Sequence, residues 1–469
     1  MPTFYIEQFG CRATQADGAA IERQLREQGC QLASEAHAAD VVVLNTCTVT
    51  AAADTQARDA IRKLHAANPS TRIIVTGCYA QRAPEEIAVL PGVSYVVGNS
   101  HKPQIPSLVN LIHARITRHV PSEFPPLPVL PAGILAPKEA TARILTGDIF
   151  DLTDVLVAPV LGGEGNHTRP TLKIQDGCNS RCSFCVIPFV RGKSRSLPPE
   201  KVISEIQCLT ESGYREIVLS GINLGAYGRD LSPHVHFLEL LQRILDETSL
   251  ERLRVSSIEP LDVSLSLIEL IASTDRLAPH FHMPLQSASD RILAAMHRWY
   301  RAEHYARRVE LIRERLPHAA IGADVITGFP GETEADHAAT IRFIAEHPFT
   351  YLHVFSYSPR PGTKAASLPN QVPGGIIKRR ARELRTLAET KSAEFRASQI
   401  GRTLHVLTLR RDPLDVPSVT PALSENFLSV QIPFALPPNE LFPACVTHSE
   451  GKNLCALPLE PLLAVPETS

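Results

Sequence analysis

Short runs of β-branched and aromatic residues recur through the first hundred positions, at 3–9, 40–46, 72–76 and 94–98. Helix-compatible stretches separate them near 14–28, 51–67 and 83–90. Strands alternating with helices predict a parallel α/β layer of flavodoxin-like type, with a domain spanning 1–115. The alternation resumes at Leu172 with expected strands at 171–176, 216–222, 252–258, 280–285, 321–327 and 351–357. Helices are expected between them at 198–212, 236–246, 264–273, 289–296, 302–315 and 333–346. These are too few strands to close an eight-stranded barrel, so an open (β/α)6 partial barrel is expected within 166–400.

Between these regions the periodicity fades. Prolines recur at 121, 125, 126, 128, 131 and 137, and 116–165 reads as a Pro-rich linker with one short strand. After the barrel, 374–400 reads as one long helix carrying Lys378, Arg379, Arg380, Arg382, Arg385, Lys391 and Arg396. That density of cations suits a phosphate backbone, yet Glu383, Glu389 and Glu394 are interleaved, and a solvated face explains it nearly as well. Short strands at 403–409, 427–432 and 443–448 then predict a small all-β barrel over 401–465.

Composition narrows the partners. The 469 residues carry a formal net charge of -2, so any contact with nucleic acid must come from local patches. Ten cysteines without a disulfide-like framework fit a reducing cytosol, where thiols stay free for metal. The start Met1-Pro2-Thr3-Phe4-Tyr5 lacks a charged segment followed by an apolar core, and no apolar run approaches membrane-spanning length. A cytoplasmic enzyme with no membrane partner is the expectation.

The candidate chemistry lies in two sets of cysteines. Cys178, Cys182 and Cys185 stand in the run Asp176-Gly177-Cys178-Asn179-Ser180-Arg181-Cys182-Ser183-Phe184-Cys185, directly after an expected strand. Three thiolates this close can bind three corners of a cubic iron–sulfur cluster and leave the fourth iron open. A structural zinc site needs a fourth ligand, and neither a second close cysteine pair nor a nearby histidine supplies one; a disulfide leaves one thiol over. Cys11, Cys47 and Cys78 each fall just past a strand of the amino-terminal domain. Ligands of open α/β sheets bind beyond the carboxyl ends of the strands, so these three are expected to converge on a second three-thiolate site. Gly10 and Gly77 precede two of them and are expected to let the backbone approach that cluster.

The C-x3-C-x2-C spacing, with aromatic Phe184 before the third cysteine, resembles the radical S-adenosylmethionine (SAM) enzymes. The order of Cys11, Cys47 and Cys78, then that triplet, then a small β-barrel resembles the methylthiotransferases within that superfamily. The resemblance implies two 4Fe-4S clusters, one on Cys178, Cys182 and Cys185 that binds SAM and generates a 5′-deoxyadenosyl radical. The other, on Cys11, Cys47 and Cys78, is implied to carry the transferred sulfur. It also implies a SAM pocket near Phe184, Gly221 and Gly328, a TRAM-like RNA-binding barrel, a tRNA substrate and a reductant such as flavodoxin or ferredoxin. Ordinary turn chemistry is an equal reading for each glycine alone. His282 is a further candidate on the inner barrel wall, with Gln286 nearby, although a lone histidine is more often a core residue. The strings Asn45-Thr46-Cys47-Thr48-Val49-Thr50, Thr76-Gly77-Cys78-Tyr79-Ala80-Gln81 and Gly221-Ile222-Asn223-Leu224-Gly225 are similar to the branch that modifies N6-threonylcarbamoyladenosine in tRNA. The alternatives are the branches acting on isopentenyladenosine in tRNA or on a ribosomal-protein aspartate.

Overall fold

The computed structural model describes residues 1–117, 142–156, 158, 159, 168–411 and 418–460. The chain divides into two compact units, one of Met1–Ala158 with Val186–Gly192, the other of Pro159–Cys185 with Lys193–Ser469. The prolines expected in a linker at 121–137 lie outside the described residues.

The first unit is a six-stranded sheet in the order β2-β1-β3-β4-β5-β6, every pair parallel. Its chain order is β1 (Thr3–Gln8), α1 (Arg12–Glu27), β2 (Gln31–Leu32), β3 (Val41–Thr46), α2 (Ala51–Ala67) and β4 (Arg72–Gly77). There follow α3 (Cys78–Arg82), α4 (Pro84–Ala88), β5 (Val93–Val97), α5 (Ile105–Thr117) and β6 (Arg143–Leu145). Val42, Leu44, Ile73 and Val75 pack on one face against Ala57, Ile61 and Ile87. Val41, Val43 and Ile74 pack on the other against Ile21, Leu25, Ile105 and Val109. This double covering explains the continuous apolar runs, since parallel strands are buried on both faces. The short strand expected inside 116–165 is β6, which pairs Tyr95 with Arg143 and so belongs to this sheet instead of a linker. The expected helix at 83–90 is α4, begun by Pro84, while the short α3 just before it was not expected.

The second unit opens with β7 (Thr171–Asp176). The chain then visits the first unit as α6 (Ile187–Arg191), and returns through β8 (Arg195–Ser196), α7 (Pro199–Glu211), β9 (Glu216–Gly221), α8 (Phe237–Glu247) and β10 (Arg252–Val255). Next come α9 (Leu265–Ala272), β11 (His280–His282), α10 (Asp290–Ala295), α11 (Ala302–Arg315), β12 (Ala320–Thr327), α12 (Glu334–Glu346) and β13 (Tyr351–Ser356). The strands form two parallel arcs, β10-β9-β7 and β11-β12-β13, with β8 antiparallel at the edge of the first. Single bridges from Leu253 to Leu277 and from Ser257 to His282 join the arcs. The expected (β/α)6 partial barrel is therefore present and open. Its fourth strand stops at His282 where 280–285 was expected, because Pro284 lacks a ladder donor and Gln286 adopts φ 61°.

The long helix α13 (Gly374–Ala397) packs on β13. Beyond it β14 (Thr403–Thr408), β15 (Thr420–Ser424), β16 (Ser429–Ile432), β17 (Leu441–Glu450) and β18 (Asn453–Pro458) close a barrel in the order β14-β15-β16-β18-β17. The expected strand at 427–432 starts only at Ser429, because Phe427 sits in a turn at φ 65°. There its ring stacks on His280 with centroids 4.4 Å apart. Buried Arg252 donates to the His405 carbonyl at 2.9 Å, and buried Arg254 to the Glu425 carbonyl at 2.8 Å. Both pair with fully buried Glu216 at 2.6 and 2.8 Å. Against the cost of burial, the Arg254, Arg252 and Arg169 guanidiniums hold the Glu216 carboxyl well below its usual range. The stretch Leu423–Phe427 is thus occupied in docking the small barrel onto the strands.

Candidate metal centres

The Cys178–Cys185 loop leaves β7 at its carboxyl end. Gly177, at φ 72°, allows the exit turn, and Asp176 Oδ1 accepts from its N–H at 2.8 Å. Gln175 Nε2 donates to the Asp176 and Gly177 carbonyls at 3.1 and 2.8 Å. Asn179 Oδ1 accepts from the Ser194 N–H at 3.0 Å. Further along, Ser183 donates its N–H to Met296 and its hydroxyl to Ala295, at 3.0 and 2.8 Å. The loop is therefore fixed at its start, its middle and its second half, and all three thiols are outside any disulfide and partly exposed. The Ser180 N–H points at Cys178 Sγ at 3.4 Å. Arg298 donates from Nη1 to Cys182 Sγ, also at 3.4 Å, while Nη2 pairs with Glu259 and the guanidinium lies over Tyr300. Burial pushes the Cys182 thiol up, and Arg298 opposes that shift.

In the first unit, Cys11 caps α1, Cys47 follows β3 and Cys78 opens α3, so all three stand at the carboxyl ends of adjacent strands β1, β3 and β4. Burial pushes the Cys47 thiol up to about 11, and the nearby thiols of Cys78 and Cys11 add to the shift. That mutual influence is the convergence expected from the strand ends. The glycines earn their positions differently from expectation. A Cβ on Gly10 (φ 103°) would come within 2.3 Å of Cys47 Cβ, and one on Gly77 (φ 98°) within 2.2 Å of the Thr46 carbonyl oxygen. Both let the cysteine-bearing turns approach one another.

Beneath this rim lies a buried charge cluster. Asp17 accepts from Lys102 Nζ at 2.5 Å and from Arg191 Nη2 at 2.9 Å, and all three side chains are at most 3% exposed. Burial lowers the Lys102 pKa, and Asp17 and then the Cys78 thiol oppose that shift; at Cys47, Arg191 offsets part of the rise that burial causes. Asn99 donates to the Val190 carbonyl at 2.6 Å and faces Cys78 Sγ at 3.7 Å. Three thiolates need such compensation when desolvated, so the residues present fit an anionic iron–sulfur cluster.

The remaining sequence candidates are distributed over the barrel rim and wall. Phe184 packs edge-on against Phe329, with centroids 6.5 Å apart. A Cβ on Gly328 (φ 77°) would meet Ile377 at 2.3 Å, so that glycine is required by the protein's own packing, whereas one on Gly221 would come nearest the end of the Leu224 side chain, at 2.8 Å. His282 is buried in a network, with Nδ1 2.9 Å from the Tyr351 hydroxyl and Nε2 2.9 Å from Asp324 Oδ1. Gln286 is also buried, and its N–H donates to the Asp324 carbonyl at 2.8 Å. Sequence reasoning missed Arg298, Asp17, Lys102, Arg191 and Asn99. One signal was available: Asp17 lies on the Ala13-Asp17-Ile21-Leu25 stripe of α1, where a lone carboxylate breaks an apolar face. Arg298 gave none, since its partner is 116 residues away.

An open parallel barrel with a three-thiol loop after its first strand, preceded by an α/β unit with a second triplet, defines a radical SAM protein with an auxiliary cysteine site. Comparison agrees: residues 3–98 match the uncharacterized protein family UPF0004, and residues 172–344 match the Radical SAM superfamily. The chain is 36% identical to the threonylcarbamoyladenosine tRNA methylthiotransferase MtaB of Aquifex aeolicus, over 91% of this chain and 95% of that protein. It is 37% identical to a tRNA-2-methylthio-N(6)-dimethylallyladenosine synthase of Thermobifida fusca, over 86% of this chain and 77% of that one. Among solved structures, the radical SAM methyltransferase TsrM of Kitasatospora setae shares the fold, with a TM-score of 0.56 at 16% identity over 78% of this chain and 77% of its own. The chain belongs to the methylthiotransferase family of radical SAM enzymes.

Proposed function

We propose that this enzyme converts N6-threonylcarbamoyladenosine beside the anticodon of tRNA to its 2-methylthio derivative. One observation carries the reading: two separate three-cysteine sites, each at the carboxyl end of a parallel sheet, in a chain that matches a protein of that activity over 95% of its length.

The cofactors are SAM and 4Fe-4S clusters, which together supply hydrogen-atom abstraction and the sulfur and methyl groups. Cys178, Cys182 and Cys185 would hold the cluster that binds SAM, and Cys11, Cys47 and Cys78 would hold the auxiliary one. Asn179 and Ser183 keep the first loop in place through the bonds to Ser194, Met296 and Ala295. Arg298 sets the charge at Cys182. Asp17, Lys102 and Arg191 set it beneath the auxiliary thiols. Phe184 and the strand-end backbone at Gly221 and Gly328 stand on the rim that would receive SAM. The adenine must leave the anticodon stack to expose C2, and extrusion costs little in a single-stranded loop. Electrons come from a reductant protein such as flavodoxin or ferredoxin, and the enzyme works in the cytoplasm. Among the described residues no helix is long and apolar enough to cross a membrane.

The test offers purified, reconstituted enzyme tRNAs carrying either hypermodified adenosine, with nucleoside mass spectrometry as the readout. Methylthiolation of the threonylcarbamoyl form is expected. Preferential methylthiolation of the isopentenyl form would move the protein to the sister branch.

A further inference from the structure

The cations of α13 fall into two groups. Arg379 pairs with Glu334 and Glu383 at 2.6 and 3.1 Å. Buried Arg380 pairs with Glu332 at 2.6 Å and Glu334 at 2.9 Å. These two tie the helix to the turn after β12 and are unavailable to a ligand. Lys378, Arg382 and Arg385 are exposed and make no ion pair or hydrogen bond among the described residues. With Ser356, Ala381, Thr386 and Glu389 they line a groove of about 520 Å³.

Their spacing places all three cations on one helical face, because residues three and four apart are neighbours. At 1.5 Å per residue, Lys378 and Arg385 lie about 10 Å apart along the axis. Ser356 ends β13, the edge strand of its arc, so the groove runs beside an unpaired strand edge. A line of unpaired cations with a hydroxyl beside it matches an extended polyanion better than it matches a compact anion. A protein whose net charge is -2 has no general attraction for nucleic acid, so such a local patch must provide it.

We propose that the groove of Lys378, Arg382, Arg385 and Ser356 binds the phosphodiester backbone of the tRNA substrate. The inference rests on the tRNA reading above and assigns it a surface. Each phosphate contact on a single strand contributes about 0.7 to the slope of log K against log salt. The experiment measures binding of a threonylcarbamoylated anticodon stem-loop to the reconstituted holoenzyme at several salt concentrations. The variant K378Q/R382Q/R385Q is compared with wild type and with R379Q, whose cation is already paired.

The expected result is a slope reduced by about two for the triple variant, with affinity lowered at least tenfold at physiological salt, and no change for R379Q. Iron content and SAM cleavage without RNA should match wild type, which verifies that fold and clusters are intact. An unchanged slope in the triple variant, with wild type binding normally, would overturn the groove assignment alone. An unchanged slope combined with slower reduction by an acidic flavodoxin would give the groove to that protein and overturn the RNA assignment. Wild-type holoenzyme that binds no tRNA would overturn the substrate reading and this inference together.

Discussion

The two cysteine triplets reach similar ends by opposite routes. Cys178, Cys182 and Cys185 sit within eight residues of one loop, and the fold has only to pin that loop. It does so through side-chain and backbone bonds at Asp176, Asn179 and Ser183. Cys11, Cys47 and Cys78 span three strand ends, and their meeting depends on the whole parallel sheet and on two glycines that let neighbouring turns touch. Their electrostatic support differs as well. Arg298 donates to Cys182 in the loop, whereas the sheet rim stands near the buried ion pairs of Asp17 with Lys102 and Arg191. A local motif can be steadied by a few bonds, but a distributed site is only as secure as the core that assembles it.

The largest effect separates the triplets outright. Replacing Cys178, Cys182 and Cys185 with Ala should abolish reductive SAM cleavage while leaving about four irons per chain after reconstitution, as one cubane holds four. Loss of all iron would show that the two sites are not independent. The reciprocal change at Cys11, Cys47 and Cys78 should keep 5′-deoxyadenosine formation and eliminate methylthiolated product. If that variant cleaved SAM no faster than cluster-free protein, the division of labour would fail.

A smaller effect tests the distributed support. Asp17→Asn leaves Lys102 and Arg191 buried without their shared carboxylate, and breaking a buried pair costs about 3–5 kcal/mol. The first unit should melt earlier and the auxiliary triplet should lose iron, while the SAM-cleaving activity persists. Equal loss of both clusters would mean that the charge cluster supports more than its own rim.

The smallest effect tests the local support. Arg298→Met removes a donor from Cys182, so the reduced, more negative cluster loses stabilisation and its potential should fall. A tenfold change in the reduction equilibrium is about 59 mV for one electron, and a shift of that order is expected in an EPR-monitored titration. The potential of the auxiliary cluster should stay put and serve as the internal reference. Movement of both would place Arg298 in a wider role than tuning one sulfur.

The limits of sequence reading follow the same division. Strand and helix positions were legible because buried parallel strands must be apolar on both faces, and the observed β1, β3, β4, β7, β9, β12 and β13 start and end within a residue or two of expectation. Strands β2, β8, β15 and β18 were not seen, since each is short, lies on an edge or belongs to a small barrel with weak alternation. The cysteine spacing pointed to the first candidate centre, and cysteines after successive strands pointed to the second, because chain order in a parallel sheet dictates which ends lie together.

By itself, then, the sequence determined the layered α/β order, the open barrel and both thiol sets, all of which follow from local periodicity and spacing. Only the tertiary structure decided which charges are spent and which are available. Arg379 and Arg382 look alike along the chain, yet one is neutralised by Glu334 and Glu383 while the other faces an open groove. Arg252 and Arg254 look like surface cations and are buried against Glu216 and the small barrel. Arg191, six residues past Cys185, proves to belong with Asp17 and Lys102 in the other unit. An ion pair depends on a partner distant in sequence and on the dielectric around it, and neither quantity is written in the neighbouring residues.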